Sequence, residues 1–450
     1  MHRYSDETER LARLIMGVAL DRLRMEPPLD GPRPPDELAR RAGATITPQG
    51  LGGESALGIW NDILAPATMS VDHPRYLAFI PGAPTEESTI FDLLVGVSSI
   101  YGGSWLESSG AVYAENQALR WLADLAGLPA AAGGCFVPGG TLGNLSALVT
   151  ARDAAIQRLG GARPERFRVA VTAETHSSVI YAVEKVMDAE VLAVPGDERG
   201  RMTGEALAET FRSEGTRGVF AVVATAGTTN LGIVDDLAGV AAVCKEHGIW
   251  MHVDGAYGGA ALAAPSVRYL FDGIEHADSF IVDPHKWLFA PFDCCALLYR
   301  EPELARHAHT QHAGYLDPIA TTDEWNPSDY AVQLSRRARG LPFWFSLAVN
   351  GTDAYRDAIE STLAVARAGA QEIRRRPNVE LLVEPELSVL VFRRTGWAAE
   401  DYKRWSMRLL AEGYAFVTPT THRGETCTRF AIVNPRTTAS DLSGILATMD

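Results

Sequence analysis

The spacing of apolar and polar positions changes several times along this chain. From Met1 to Arg24, MHRYSDETERLARLIMGVALDRLR, apolar residues recur at helical spacing among charges and predict an amphipathic helix. The next segment, PPLDGPRPPDELARR (Pro27 to Arg41), is rich in proline, which has no N–H to donate, so an extended arm is expected there. From about His73 to Tyr299, β-branched runs alternate with helical patterns: RVAVTAE, SSVIYAVEKVM, VFAVVATAG, LAGVAAVCKEHG and IWMHVD. Such alternation predicts a parallel sheet covered by helices. Between His307 and Gly340 the rhythm stops, and the His, Thr, Asp, Asn and Pro residues collected there predict a long mobile loop. A helical stretch opens at Leu341, and LSVLVFRR, DYKRWSMRLLAEGY and RFAIVNP predict a smaller C-terminal α+β unit. The expected organisation is an N-terminal helical arm (1–72), a large α/β domain (73–340) that includes the loop, and a small domain (341–450).

Composition narrows the partners. At 450 residues and 46% hydrophobic, the chain can bury the core of two or three packed units. Its formal charge of −15 argues against nucleic acid and anionic membranes, because phosphate binding needs clustered Lys and Arg. The basic runs SRRAR (Ser335 to Arg339) and RRRP (Arg374 to Pro377) read as solvated or ion-paired surface. Five cysteines with neither CxxC spacing nor disulfide-scaffold density indicate a reducing compartment and argue against a metal site. The charged N-terminus is unlike a signal peptide and no apolar run is long enough to span a membrane, so a cytoplasmic protein is expected.

The candidate chemistry begins with Lys286 in SFIVDPHKWLFAPFDCC (Ser279 to Cys295). In a parallel α/β sheet, ligands sit at the carboxyl ends of strands, and Lys286 follows the run SFIV at such an end. A lone lysine there could snorkel or pair with an acid. Alternatively, a buried amine with a pKa lowered by desolvation could form a Schiff base with an aldehyde. Upstream, IWMHVDGAYGG ends an apolar run in Asp254, followed by the small residues Gly255, Ala256 and Gly258. Asp254 could cap a helix, or it could hold the nitrogen of a pyridine ring in its protonated, electron-accepting form. GGCFVPGGTLGNLSALVTAR (Gly133 to Arg152) predicts a strand, a Gly-rich turn and a helix whose start could take a phosphate. It lacks both the P-loop lysine and GxGxxG spacing, which disfavours ATP and NAD. His176 in TAETHSSVI reads equally as a cap, a core histidine or a group over a ring, and TAGTTNLGIVDDL supplies Thr225, Thr228 and Thr229.

With ETHSSV, TAGTTNLGIVDDL, HVDGAYGG and DPHKWL in this order, the chain resembles the group II decarboxylases that use pyridoxal 5'-phosphate (PLP), relatives of the aromatic L-amino-acid, histidine and glutamate decarboxylases. The resemblance runs from about His73 to Leu347 and more loosely through RFAIVNPRTT. It implies a fold-type I, aminotransferase-like architecture with a mixed, mostly parallel sheet. It also implies a homodimer with active sites at the interface and an N-terminal segment clasping the partner. By that resemblance Lys286 is the Schiff-base lysine, Asp254 the partner of the pyridine nitrogen, Ala256 the small residue under the ring and His176 the residue stacked above it. Thr229 is its hydrogen-bonding neighbour, and Thr141, Leu142 and His285 are phosphate-side positions.

The chain also departs from the family pattern. In AFIPGAP, beside Phe79, Ile80 stands for an aromatic residue and Gly82 for a threonine of the substrate pocket. In YGGSW, Gly103 stands for another aromatic, while Trp105 remains. Asp283 replaces a common asparagine. In the loop, Pro327 falls nearest the family's catalytic tyrosine, with Tyr330 offset. The implied activity is decarboxylation of an aromatic or otherwise bulky L-amino acid. The alternatives are decarboxylation coupled to oxidative deamination, transamination, and a PLP-binding relative without turnover.

Overall fold

The computed structural model describes residues 2–314 and 324–450. Among them, one sheet has seven strands: β1 (Gly133–Val137), β2 (Arg168–Val171), β3 (Glu190–Ala193), β4 (Val219–Thr225), β5 (Trp250–Asp254), β6 (Ser279–Val282) and β7 (Cys295–Tyr299). Their order is β1-β7-β6-β5-β4-β2-β3. The pairings from β6 to β3 are parallel, and β7 runs antiparallel to both β6 and β1. Every residue of β4, β5 and β6 is buried, which explains why these strands read as unbroken apolar runs: helices cover both faces. The mixed, mostly parallel sheet is the one expected.

The helix Gly140–Arg158 crosses this sheet over β4, β5, β6 and β7. Its close approach depends on Gly143, where a Cβ would come 3.0 Å from Ile281 Cγ2 and 3.1 Å from Cys295 Sγ. The next residue, Asn144, is thereby held over the middle of the sheet.

A second, antiparallel sheet has the order β10-β11-β9-β8, made from β8 (Val379–Val383), β9 (Val389–Arg394), β10 (Thr418–His422) and β11 (Glu425–Ala431). The helices Ala399–Ala411 and Ala439–Ala447 pack on it through Trp405, Leu409, Leu442 and Ile445. The helix Leu341–Arg375 is interrupted at Gly351 (φ 76°), and its second part adds Ala366, Ala370 and Ile373 to the same core. The two sheets are joined where Tyr257 Oη lies 2.6 Å from Ser388 Oγ.

The arm differs from the expectation of extended chain. Pro35–Ala42 is a helix, because proline at its first position gives up an N–H that has no intrahelical partner anyway. The helix Asp6–Arg24 forms as expected, capped by Ser5 Oγ accepting from Thr8 N at 3.2 Å, but none of its residues is buried.

The segment 307–340 also differs from a continuous loop. Residues to His309 belong to the helix Pro302–His309, and residues 315–323 lie outside the described ones. Pro327–Tyr330 forms a buried turn, with the Tyr330 ring stacked 4.2 Å from Trp325. Arg336 reaches the Phe136 carbonyl, and Gly340 N donates to Glu115 Oε1 at 2.7 Å. Tyr330 is turned into the core, where its backbone carbonyl accepts from Tyr299 Oη at 3.1 Å.

Candidate active site

Because β4, β5 and β6 are parallel, their carboxyl ends share one edge of the sheet. The start of the helix Gly140–Arg158 meets them there, enclosing a cavity of about 310 Å³. Thr141, His176, Thr229, Asp254, Ala256, His285 and Lys286 all line it. These seven positions span 146 residues of sequence (Thr141 to Lys286), and only the parallel topology brings them together.

Lys286 lies on the short helix Pro284–Trp287 that follows β6. Its Nζ is 2.9 Å from Asp283 Oδ2, and His285 Nε2 is 3.7 Å from the same oxygen. Burial works to lower the Lys286 pKa, but the Asp283 carboxylate outweighs it and the pKa is raised above the ordinary lysine value. The expectation of a desolvated, low-pKa amine is therefore corrected: in this arrangement the amine is held as an ammonium. Burial likewise opposes ionisation of Asp283, yet Lys286 and His285 together lower its pKa. His285 is lowered, first by burial, with Asp283 acting against it. The Cys294 backbone holds the His285 ring, with Nδ1 2.7 Å from the carbonyl oxygen and 3.1 Å from the amide nitrogen.

Asp254 closes β5 and is buried. It takes hydrogen bonds from neutral donors: Asn144 Nδ2 at 2.9 Å and the Ala256 amide at 3.0 Å. His176 caps the helix Ser177–Tyr181, its Nδ1 accepting from Ser178 N at 3.2 Å, while its exposed ring lines the cavity. The capping and site readings of His176 are thus compatible.

Other positions fall outside the lining. Leu142 packs toward the core and its amide donates to Gly139 O at 3.0 Å, so that N–H is not free for a phosphate. Ile80 is buried in the main core. Gly82 abuts the site from behind: a Cβ there would come 2.5 Å from His285 O. At Gly103 a Cβ would strike the Tyr101 ring, and the amide of Trp105 donates to Asn326 Oδ1 at 2.9 Å. Phe79 is 59% exposed, with φ 52°.

Several residues at the site were missed by the sequence reading, three of which bear on its chemistry. Asn144 and Phe292 line the cavity, and His252 lies beneath it. His252 had a legible signal, since Trp250, His252 and Asp254 alternate along β5 and therefore share a face. Asn144 and Phe292 had none that short-range pattern carries.

A flat, phosphorylated pyridine fits this space. Ala256 leaves the floor low, and a Cβ at Gly140 would crowd Asp283 Oδ2 and Ala256 Cβ at 3.3 and 3.4 Å. Thr225 Oγ1, paired in register with Asp254, is buried without a hydrogen-bond partner. The start of a 19-residue helix offers unpaired N–H groups to a phosphate. An α/β sheet with a lysine, a carboxylate and a phosphate-ready helix start at one edge defines the class of PLP-dependent enzymes with this sheet architecture.

Comparison with known proteins gives the family. Residues 45–395 match the model of the pyridoxal-dependent decarboxylase conserved domain, and the chain belongs to that family. It is 30% identical over 424 residues to an aromatic-L-amino-acid decarboxylase of Bacillus atrophaeus, covering 91% of this chain and 88% of the relative. It is 32% identical over 390 residues to an L-2,4-diaminobutyrate decarboxylase of Rhizobium meliloti (strain 1021), covering 84% and 77%. The fold matches a crystal structure of Oryza sativa TDC with PLP and tryptamine at a TM-score of 0.91 and 24% identity, over 100% of this chain and 99% of that one. The chain is a PLP-dependent amino-acid decarboxylase by family, and its cofactor is PLP.

Proposed function

We propose that this chain removes the carboxylate of an aromatic or otherwise bulky L-amino acid, releasing the amine and CO2. The observation that carries the reading is the convergence of Lys286, Asp254 and His176 on one cavity. PLP, when bound, supplies an electron sink. Lys286 is the residue that bonds to it, and Asp283, 2.9 Å away, is the base nearest to the ammonium proton that must first leave. Asp254 would hold the ring nitrogen, Ala256 would leave room under the ring and His176 would cover it. With Nδ1 of His176 accepting from Ser178 N, its Nε2–H is the proton presented to the cavity. Thr229 supports that side, and Thr141 and His285 serve the phosphate end.

The bulky-substrate reading is supported by Phe292 in the lining and by the aromatic-L-amino-acid decarboxylase of Bacillus atrophaeus among the relatives. The working unit is a homodimer. Leu14, Ile15 and Leu20 on the helix Asp6–Arg24 are exposed, as are Ile90, Leu93, Leu94 and Val97 on the helix Glu86–Val97. Apolar surface of this extent is suited to a second copy. Phe79, Ile80, Gly82, Gly103 and Trp105 then belong to the substrate pocket that the second copy completes, a reading supported by the exposure of Phe79.

The division into arm (1–72), large domain (73–340) and small domain (341–450) is supported by the two distinct sheets and by the core that the small sheet forms with its own helices, while Val389, Val391, Cys427 and Ala431 on its other face join the main core. Among the described residues no helix is long and apolar enough to cross a membrane. All five cysteines are buried and unpaired, which supports a reducing compartment, read as the cytoplasm.

The test is a screen of L-amino acids on the purified chain with PLP, following CO2, amine, aldehyde and peroxide in parallel. Amine and CO2 from an aromatic substrate are expected. Aldehyde with peroxide and oxygen uptake would indicate oxidative deamination instead, and dependence on a keto acid would indicate transamination. Bound cofactor without any turnover would leave a non-catalytic relative.

A further inference from the structure

Beneath the cavity floor, five buried side chains form one continuous hydrogen-bond chain, which can run in a single direction from Trp250 to Asp254. Trp250 Nε1 can only donate, and it donates to Ser279 Oγ at 2.8 Å. The Ser279 hydroxyl proton is then free for His252 Nδ1, 2.8 Å away. An imidazole that accepts at Nδ1 carries its proton on Nε2, and this nitrogen lies 2.8 Å from Asn144 Oδ1. The Asn144 amide is thereby oriented, its oxygen toward His252 and its NH2 toward Asp254 Oδ2 at 2.9 Å. The same NH2 lies 3.5 Å from Ser178 Oγ, which is 2.8 Å from His176 Nδ1. Burial lowers the His252 pKa to about 4, which keeps the ring neutral and able to accept at one nitrogen while donating at the other.

We infer that Asn144 and His252 are positioning residues that aim the Asp254 carboxylate at the cofactor nitrogen. Neither touches the reacting atoms. An amide free to turn would set its oxygen against the carboxylate and push Asp254 out of place, and His252 prevents that turn. The inference rests on the reading of Asp254 as the partner of the ring nitrogen.

The test compares the affinity of the cofactor-free full chain for PLP with that for a carbocyclic analogue in which CH replaces the ring nitrogen. The native chain should prefer PLP. In His252→Phe and Asn144→Leu, PLP affinity should fall about 10-fold or more, the scale of one buried hydrogen bond of about 1.4 kcal/mol. Affinity for the analogue, which has no nitrogen for Asp254 to meet, should stay within about 2-fold, the scatter of a surface change. His252→Gln, which can donate to Asn144 Oδ1, should recover most of the preference, and it serves as the folded comparison should His252→Phe not fold. Equal losses for both compounds would reduce the chain of bonds to structural support and overturn the inference, as would unchanged PLP affinity. A native chain indifferent to the ring nitrogen would instead overturn the reading of Asp254 itself.

Discussion

The floor of the site and the N-terminal arm solve opposite problems. At the floor, Trp250, Ser279, His252, Asn144 and Asp254 are buried, and each finds its partner within the same chain. In the arm, the 19-residue helix Asp6–Arg24 buries nothing, and Leu14 and Ile15 are 40% and 44% exposed. The difference follows from the cost of leaving each kind of surface unmatched. A buried polar group without a partner costs about 1–3 kcal/mol, so the fold must supply one as it forms. Exposed apolar surface loses about 25 cal/mol per Å² of potential burial, a debt that a second copy can settle later.

The strongest challenge to the self-contained floor is Lys286→Ala. It should lower CO2 release by at least about 10³-fold and remove the near-visible absorbance of lysine-bound cofactor. Its unfolding midpoint in urea should fall, because the buried Asp283 carboxylate loses its ammonium partner, while the bonds around Asp254, which do not include Lys286, stay in place. Retained turnover would separate Lys286 from the chemistry altogether.

Deleting residues 2–24 attacks the other side of the comparison. Sedimentation should report one chain in place of two, with most of the CO2 release lost, while circular dichroism still shows both sheets. A deleted form that remains paired and fully active would show that the arm's exposed face has no part in assembly.

Asp283→Asn is expected to act more subtly, through pH. With the carboxylate present, Lys286 has a raised pKa despite its burial. Without it, burial is opposed only by the weaker pull of Asp254 and Cys295, so the pKa falls and the neutral amine forms at lower pH. The pH midpoint for PLP capture by the cofactor-free variant, followed by growth of the near-visible band, should fall by about 1 unit or more. An upward shift would contradict the assigned role of the ion pair.

The smallest effect is expected from Gly143→Ala. Its Cβ would press on Ile281 and Cys295, which form the sheet under the helix, and should cost about 1–3 kcal/mol in urea unfolding. Because Asn144 is the next residue, the same variant should weaken PLP binding more than it alters far-ultraviolet dichroism. A neutral substitution would show that the helix has room to rise without disturbing the floor.

The elements that could be read from the chain were those set by local rules. Apolar runs of β4, β5 and β6 announced strands covered on both faces, and HVDGAYGG and DPHKWL pointed to the family and its cofactor before any coordinates. Pro35 misled because proline is a breaker inside a helix but an acceptable first residue. Asp283 stands out in the sequence as a departure from the family pattern, but its pairing with Lys286 is not legible there, and desolvation alone points to a lowered lysine pKa. Spacing along the chain could not say whether burial or a carboxylate at 2.9 Å would prevail. The sequence puts Tyr330 merely offset from the family's catalytic tyrosine, while packing against Trp325 turns it into the core.

The sequence by itself determined which faces were apolar, where strands ended and which residue types stood at those ends, because period and propensity act over a few neighbouring residues. Only the tertiary structure decided that Asn144 would meet Asp254, 110 positions away, and that His252 would fix the direction of that contact. Hydrogen bonds require distances near 3 Å and a particular orientation, and for residues so far apart in the chain those are set by how the helix Gly140–Arg158 lies across the sheet.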